Sequence, residues 1–324
     1  MTKYAQNHVA ESRFTLPVVM VYAIVVWLAS GLPIPAMPLD FTELWKGGWG
    51  QFVCFLVSTF LMATLNNNNA LIRIYSRTMS CAFVVLMCAG CFLFSSMSGA
   101  FVQVCSVAVW LALFQTYQDK ASVGWSYYAF LCVGLVSCIF IQILFFVPLL
   151  WFLMFYHLGS LSWRTFFASV LGLLTPYWFA LPLLFYQDNA EMLAAHFTAL
   201  VDFQQPFTDS TFFTVNELLL FVFIVGLGIT GTVHYQRKRL GDNIRIRLFY
   251  NCFILMWIAS AVLLVLQPQH YDALIRLLII NVSPLIAHFL TFTNTRVTNI
   301  AFHAICAIAL LMTIFNLWMP SLLF

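Results

Sequence analysis

Charge is scarce in this chain of 324 residues: Asp, Glu, Lys and Arg together make up 8% of it, and the formal net charge is +3. A soluble domain carries about a quarter charged residues, so a single water-exposed globular fold is excluded. Strand-like alternation is also missing. The apolar runs are long and unbroken, which excludes an outer-membrane β-barrel. The chain has no Walker loop, dinucleotide fingerprint, HExxH zinc pattern or serine elbow, and the sequence leaves its cofactor, if it uses one, unknown. No inverted repeat is evident, which ranks a small-molecule transporter third among the functional readings. Cysteine is present, but all nine fall inside apolar runs, and no extracytoplasmic disulfide framework is expected. Cys88 and Cys91 have metal-ligand spacing without a second pair or a nearby His. They read as small-residue packing, and no metal site is expected at this pair.

Apolar side chains are what the sequence has in excess: 63% of residues are hydrophobic and 17% aromatic, with 34 Phe. A bilayer crossing uses about 20 mostly apolar residues. The expected fold is therefore all-α: one integral membrane domain over 1–324, a polytopic bundle of about eleven spans, with about 10–12 compatible with the soft boundaries. The runs lie near 14–32, 51–65, 79–95, 99–115, 125–143, 145–159, 165–185, 213–233, 248–266, 272–291 and 297–318. The first is long enough to span and leads into Pro33, Pro35 and Pro38, so it reads as an uncleaved helix. The stretch 125–159 is too long for one upright helix, and a break is expected between Gln142 and Pro148, where the amide can answer a backbone group freed by proline. Gly226, Gly228 and Gly231 suggest a close helix contact.

With the amino terminus in the cytoplasm, all 14 Lys and Arg except Lys46 and Arg276 fall on the inner side, as the positive-inside rule demands. The carboxyl terminus is then outside, and so are eight acidic residues: Asp40, Glu43, Asp188, Glu191, Asp202, Asp209, Glu217 and Asp272. Inside, Arg237, Lys238, Arg239, Arg245 and Arg247 surround one Asp242, a cluster that topology alone would require and that attracts anionic lipid rather than nucleic acid. Asn66 to Asn69, with Arg73 and Arg77, reads as an inner connector. Two outer loops are long, 33–50 and 186–212. In the second, Asp188 can cap a short amphipathic interfacial helix near 189–203, with Met192, Leu193, His196, Phe197, Leu200 and Val201 on one face.

The chemical candidates lie on this acidic side. Asp40 and Glu43, three residues apart beside Trp45 and Lys46, share one helical face if the loop is helical, and are the candidate catalytic carboxylates, able to share a metal ion or a general-base task; a solvated loop with Trp45 and Trp49 as anchors is the alternative. Around Gln267, Pro268, Gln269, His270, Tyr271 and Asp272 an outer turn gathers hydrogen-bonding groups. Arg276 sits one turn into the next span and needs a partner: with His270 it is the candidate site for a lipid phosphate, and an ion pair with Asp272 is the alternative. Asn281, Ser283, Pro284 and His288 interrupt the same span, either as a proton or substrate path or as packing groups.

The motifs around Gly134 to Tyr156, and Leu161-Ser162-Trp163-Arg164-Thr165-Phe166 leading to Gly172-Leu173-Leu174-Thr175-Pro176-Tyr177, resemble an uncharacterised family of bacterial multi-pass inner-membrane proteins, which brings no activity with it. More distantly, the acidic first outer loop, the long second loop with a flat helix and the short hairpin crossings resemble the GT-C class of polyprenyl-linked glycosyltransferases and polysaccharide polymerases. That resemblance implies a carboxylate from the first outer loop, Asp40 or Glu43, acting on a polyprenyl-phosphate-linked sugar or glycan whose phosphate Arg276 holds at the extracytoplasmic face. Asp40 and Glu43 depart from the usual Asp–x–Asp-like pair, and no large extracytoplasmic domain is present. The alternative is a noncatalytic membrane subunit of an envelope assembly or export complex, with envelope proteins as its partners.

Overall fold

A computed structural model describes residues 5–30, 48–74, 76–186, 196–200 and 213–322. Every described apolar run is helical, because backbone N–H and C=O groups in hydrocarbon must be satisfied within the segment. The helices are α1 (Ala5–Glu11), α2 (Thr15–Ala29), α3 (Trp49–Asn69), α4 (Thr78–Ala89), α5 (Met97–Gln115), α6 (Val123–Ser137), α7 (Val147–Tyr156), α8 (Trp163–Tyr186), α9 (Val215–Lys238), α10 (Ile244–Leu266), α11 (Tyr271–Phe292) and α12 (Arg296–Leu322). Local chemistry marks their ends. Thr214 and Glu217 close a complete capping box at the start of α9, and Arg237 and Lys238 sit at its opposite end, where cations offset the helix dipole.

The structure corrects the expected number of crossings. Six helices among the described residues, not about eleven, are at least 18 residues long and apolar enough to cross a bilayer: Trp49–Asn69, Met97–Gln115, Val215–Gly241, Ile244–Leu266, Pro268–Phe292 and Arg296–Trp318. Four other apolar runs form shorter helices: Thr15–Ala29, Thr78–Ala89, Val123–Ser137 and Ile141–Tyr156. Hydropathy sums side chains and is blind to where a helix stops. The 12 residues of α4 span only about 18 Å of a core about 30 Å thick before the chain tightens into a 3₁₀ turn, Cys91–Ser95. Such a turn is tolerated at membrane depth because protein covers it, and Cys91, Leu93 and Phe94 are buried. The expected break in 125–159 is present as the 3₁₀ turn Ile141–Phe146, with Pro148 in the first turn of α7. The Gln142 amide does not answer its own helix. Its Nε2 donates to the Ala199 carbonyl at 3.3 Å, so it pins the segment 196–200 to the bundle.

The centre of the bundle is α11, with 83% of its apolar window buried. It packs against α4, α5, α9 and α10, and α1 reaches it near its carboxyl end. Gly231 allows α9 to approach closely, since a Cβ there would lie 2.9 Å from the Leu285 backbone; Gly228 faces Trp257 and Val282, and Gly226 faces open space. The tightest pair is α6 with α8. A Cβ on Gly172 would run into the Tyr127 carbonyl, and one on Gly134 would stand 2.6 Å from the Leu173 carbonyl, so glycine on each helix sets the spacing.

Loops gather at two ends. At one, Gln6 Nε2 donates to the Leu290 carbonyl and Thr293 Oγ1, Ser76 Oγ to the Ala10 carbonyl, Arg245 to Asn69 Oδ1, and the Gln118 amide to the Leu158 carbonyl. At the other, Asn316 Nδ2 donates to the Ala89 carbonyl and Tyr271 Oη to the Glu217 carbonyl. Among the described residues Arg276 is the one Lys or Arg at this second end, the acidic one for its Glu217 and Asp272, so the other described cations are sorted to the first end. Asn66 and Asn69 prove to be buried braces rather than a polar connector: Asn66 holds the Ser76 carbonyl and the Ile72 amide, and Asn69 takes Arg245.

His157, just past α7 at the basic end, is buried with Nδ1 unpartnered, and burial pushes its pKa below the usual 6.5. Below pH 6.5 the unfolded chain therefore binds a proton that the folded chain refuses. Stability is fully present above that pH and falls as pH drops through it, by at most about 1.4 kcal/mol per pH unit, until the folded ring also charges. Thermal unfolding in detergent between pH 5 and 7.5 should show this slope, and His157→Gln should flatten it; equal slopes for both proteins would reject it.

Candidate functional site

At the acidic end the site grows from the first turn of α11. Asp272 and Arg276, four residues apart, lie on one helical face. The Arg276 Nε and Nη2 donate to Asp272 Oδ1 at 3.1 and 3.0 Å, Nη1 donates to Gln103 Oε1 at 3.0 Å, and Nη2 also donates to the Leu93 carbonyl. The side chain of Arg276 is 2% exposed and that of Asp272 37%, so a buried guanidinium holds a carboxylate that reaches the mouth of the bundle. Room for the pair comes from Gly99 on α5, where a Cβ would collide with the Asp272 carboxylate and stand 2.6 Å from Arg276 Nε. Gln103 Nε2 is buried without a partner.

His270 belongs to a different set of contacts. Gln142 Nε2 lies 2.6 Å from His270 Nε2, which accepts from the amide and so carries no proton there, and the Phe140 ring is 5.4 Å away. Close by, His196 Nε2 donates to the Ser137 carbonyl at 2.9 Å, Tyr177 donates to Ser137 Oγ, and Phe197 stacks on Tyr177. Residues 196–200 thus dock on the ends of α6 and α8. The remainder of the expected helix near 189–203 lies outside the described residues, as do Asp40 and Glu43. Of the candidate site residues, Arg276 and His270 share one end of the bundle but no partner. A lipid phosphate would have to replace Asp272 on the guanidinium, and at His270 Nε2 it would have to replace Gln142.

The described borders of both long outer segments meet here. Trp27 and Trp49, which flank the first, face each other with ring centroids 4.9 Å apart, and Phe55 on the same side of α3 packs on Phe94, next to Leu93. Phe213, which follows the second, packs on Tyr271, 5.8 Å between centroids.

At the basic end a second cluster forms that sequence reading did not assemble. Arg73 Nη2 pairs with Asp242 Oδ1 at 2.9 Å while Nη1 donates to the Gly241 carbonyl, and Asp242 Oδ2 lies 3.2 Å from His288 Nε2. The side chains of Asp242 and His288 are both 1% exposed. His234, Tyr235, Tyr250 and Phe292 close around the His288 ring at centroid distances of 4.7–5.5 Å. An acid 46 positions from its histidine leaves no local signal, and the only hint was that Asp242 stood alone among five cations. Between the two clusters, Asn281 accepts from Trp110 Nε1 and donates to the Leu277 carbonyl, and Ser283 donates to the Ile279 carbonyl. These groups are spent on helix contacts, and Trp110 and Asn281 line a cavity of about 30 Å³. Among the described residues no three His, Cys, Asp or Glu side chains are grouped to hold a metal ion.

No family model, curated protein or solved structure matches the chain. The resemblance to GT-C enzymes has no counterpart in these comparisons, and the molecule stands as an all-α multi-pass membrane protein whose sites are read from their own chemistry.

Proposed function

We propose that the chain acts at its acidic end, facing the extracytoplasmic side of a bacterial inner membrane, on a sugar or glycan linked to a lipid phosphate, in the manner of a GT-C enzyme. In this reading Asp40 or Glu43 supplies the acid–base group, and Arg276 and His270 receive the phosphate. The observation that carries it is that the second outer segment's border, Phe213, packs on Tyr271 in the first turn of α11, beside a buried arginine whose partner carboxylate is 37% exposed, while Trp27 and Trp49, which border the first, close together at the same end. Phosphate would exchange with Asp272 on the guanidinium, since both offer oxygen acceptors that its fork can grip in pairs.

The test uses proteoliposomes supplied with a polyprenyl-phosphate-linked sugar. Asp40→Ala, Glu43→Ala and Arg276→Gln are expected to abolish product, while Asp272→Asn, which loosens the occupied guanidinium, retains lipid-phosphate crosslinking. Unchanged glycan products in the first three variants, at normal abundance, would reject the reading. A noncatalytic envelope subunit is the second reading. It is favoured by interior polar groups being spent on helix contacts, among them Trp110 with Asn281 and Thr78 with Thr291. It requires co-purification with envelope proteins in mild detergent, and a chain that always runs alone counts against it.

A further inference from the structure

At the basic end, away from the sites above, a groove of 610 Å³ opens between the carboxyl end of α7, the amino end of α8 and the turn before α6; it is lined by Lys120, Phe155, Leu161, Ser162, Trp163 and Phe166. Its character is split. The walls are hydrocarbon and aromatic, with Phe155 68% and Trp163 79% exposed, an amount of bare ring that water would penalise. The rim carries the Lys120 ammonium and the Ser162 hydroxyl.

The rim is built rather than accidental. Ser162 Oγ donates to the Lys120 carbonyl at 2.9 Å, which ties the lysine's backbone to the start of α8, and Thr165 closes the cap by accepting from the Ser162 amide at 2.7 Å. The neighbouring acid, Asp119, is turned to the Ala121 amide at 2.8 Å. Arg164, also exposed, adds a second cation beside the groove.

We infer that this groove binds an anionic phospholipid, with the phosphate against the Lys120 ammonium, whose backbone Ser162 fixes, and the first acyl carbons along Phe155, Trp163 and Phe166. Each part of the ligand follows from a part of the site. A soluble phosphate would leave the aromatic walls wet, and a lipid without net charge would gain little from the ammonium. Lysine and tryptophan side by side at a helix end are also the pair that anchors a membrane protein at headgroup depth. A groove of this volume is of the size that encloses a headgroup-sized ligand.

The test is native mass spectrometry of the full chain in detergent, titrated with phosphatidylglycerol and with phosphatidylcholine of the same chain length. Wild-type protein is expected to retain the anionic lipid about five-fold more tightly, the effect of one basic group near a headgroup. Lys120→Gln should remove that preference, and Trp163→Ala should weaken both lipids. Both side chains are exposed, so both variants should fold, which unchanged melting would verify. Undiminished preference in Lys120→Gln would overturn the inference. So would displacement of the lipid by glycerol phosphate at equal concentration, which would make the site one for soluble anions.

Discussion

Arg276→Ala lowers the stability of the bundle by about 3 kcal/mol, the larger of the two effects expected from point substitutions. Removing the guanidinium leaves Gln103 Oε1 and the Leu93 carbonyl buried without donors, and each such group costs about 1–3 kcal/mol. Asp272 contributes less, because its half-exposed carboxylate returns to water. Arg276→Lys should recover only part of the loss, since a compact ammonium lacks the planar fork that spans acceptors on separate elements. Gly99→Ala acts on the same pair from outside by driving a methyl group into the Asp272 carboxylate, and overpacking of this kind costs about 1–3 kcal/mol. Unfolding in mixed micelles measures all three. A wild-type midpoint for Arg276→Ala would show that the cage holds nothing together.

Asp242→Ala is expected to cost about 2 kcal/mol and, more visibly, to free the turn between α9 and α10. The loss comes mainly from His288, which is buried and gives up its only polar contact at Nε2. Arg73, 44% exposed on its side chain, is rehydrated at little cost. Asp242→Asn, which keeps an acceptor of the same shape, should cost less than half as much. The released turn contains Arg239 and follows directly on Arg237 and Lys238 in the last turn of α9, so trypsin should cut there several-fold faster in Asp242→Ala than in wild-type protein. Equal cleavage rates would mean that the buried carboxylate does not fasten the turn.

The two clusters show why the site was only partly legible. Asp272 and Arg276 are one helical turn apart, and their pairing was available as an alternative from spacing alone. Their saturation by Gln103 and Leu93, 173 and 183 positions distant, was not. Asp242 read as an isolated acid in a basic loop, and His288 as an interruption in an apolar helix. Neither carries any mark of the other. Asn66 and Asn69 misled in the opposite sense, because polarity suggested a solvated connector where the chain uses their amides to close a buried turn.

Residue by residue, the sequence determined that the chain is helical and membrane-embedded, where its apolar runs lie, and that one run breaks at Gln142 to Pro148. These are properties of a segment and its solvent: a run of apolar side chains partitions into lipid and satisfies its own backbone wherever the rest of the chain goes. Tertiary structure alone decided that α2, α4, α6 and α7 stop short of a full crossing, that α11 is the buried axis, and which distant groups neutralise Arg276 and Asp242. Those outcomes depend on which helices cover a truncated end or a buried charge, and that cover exists only once the bundle has packed.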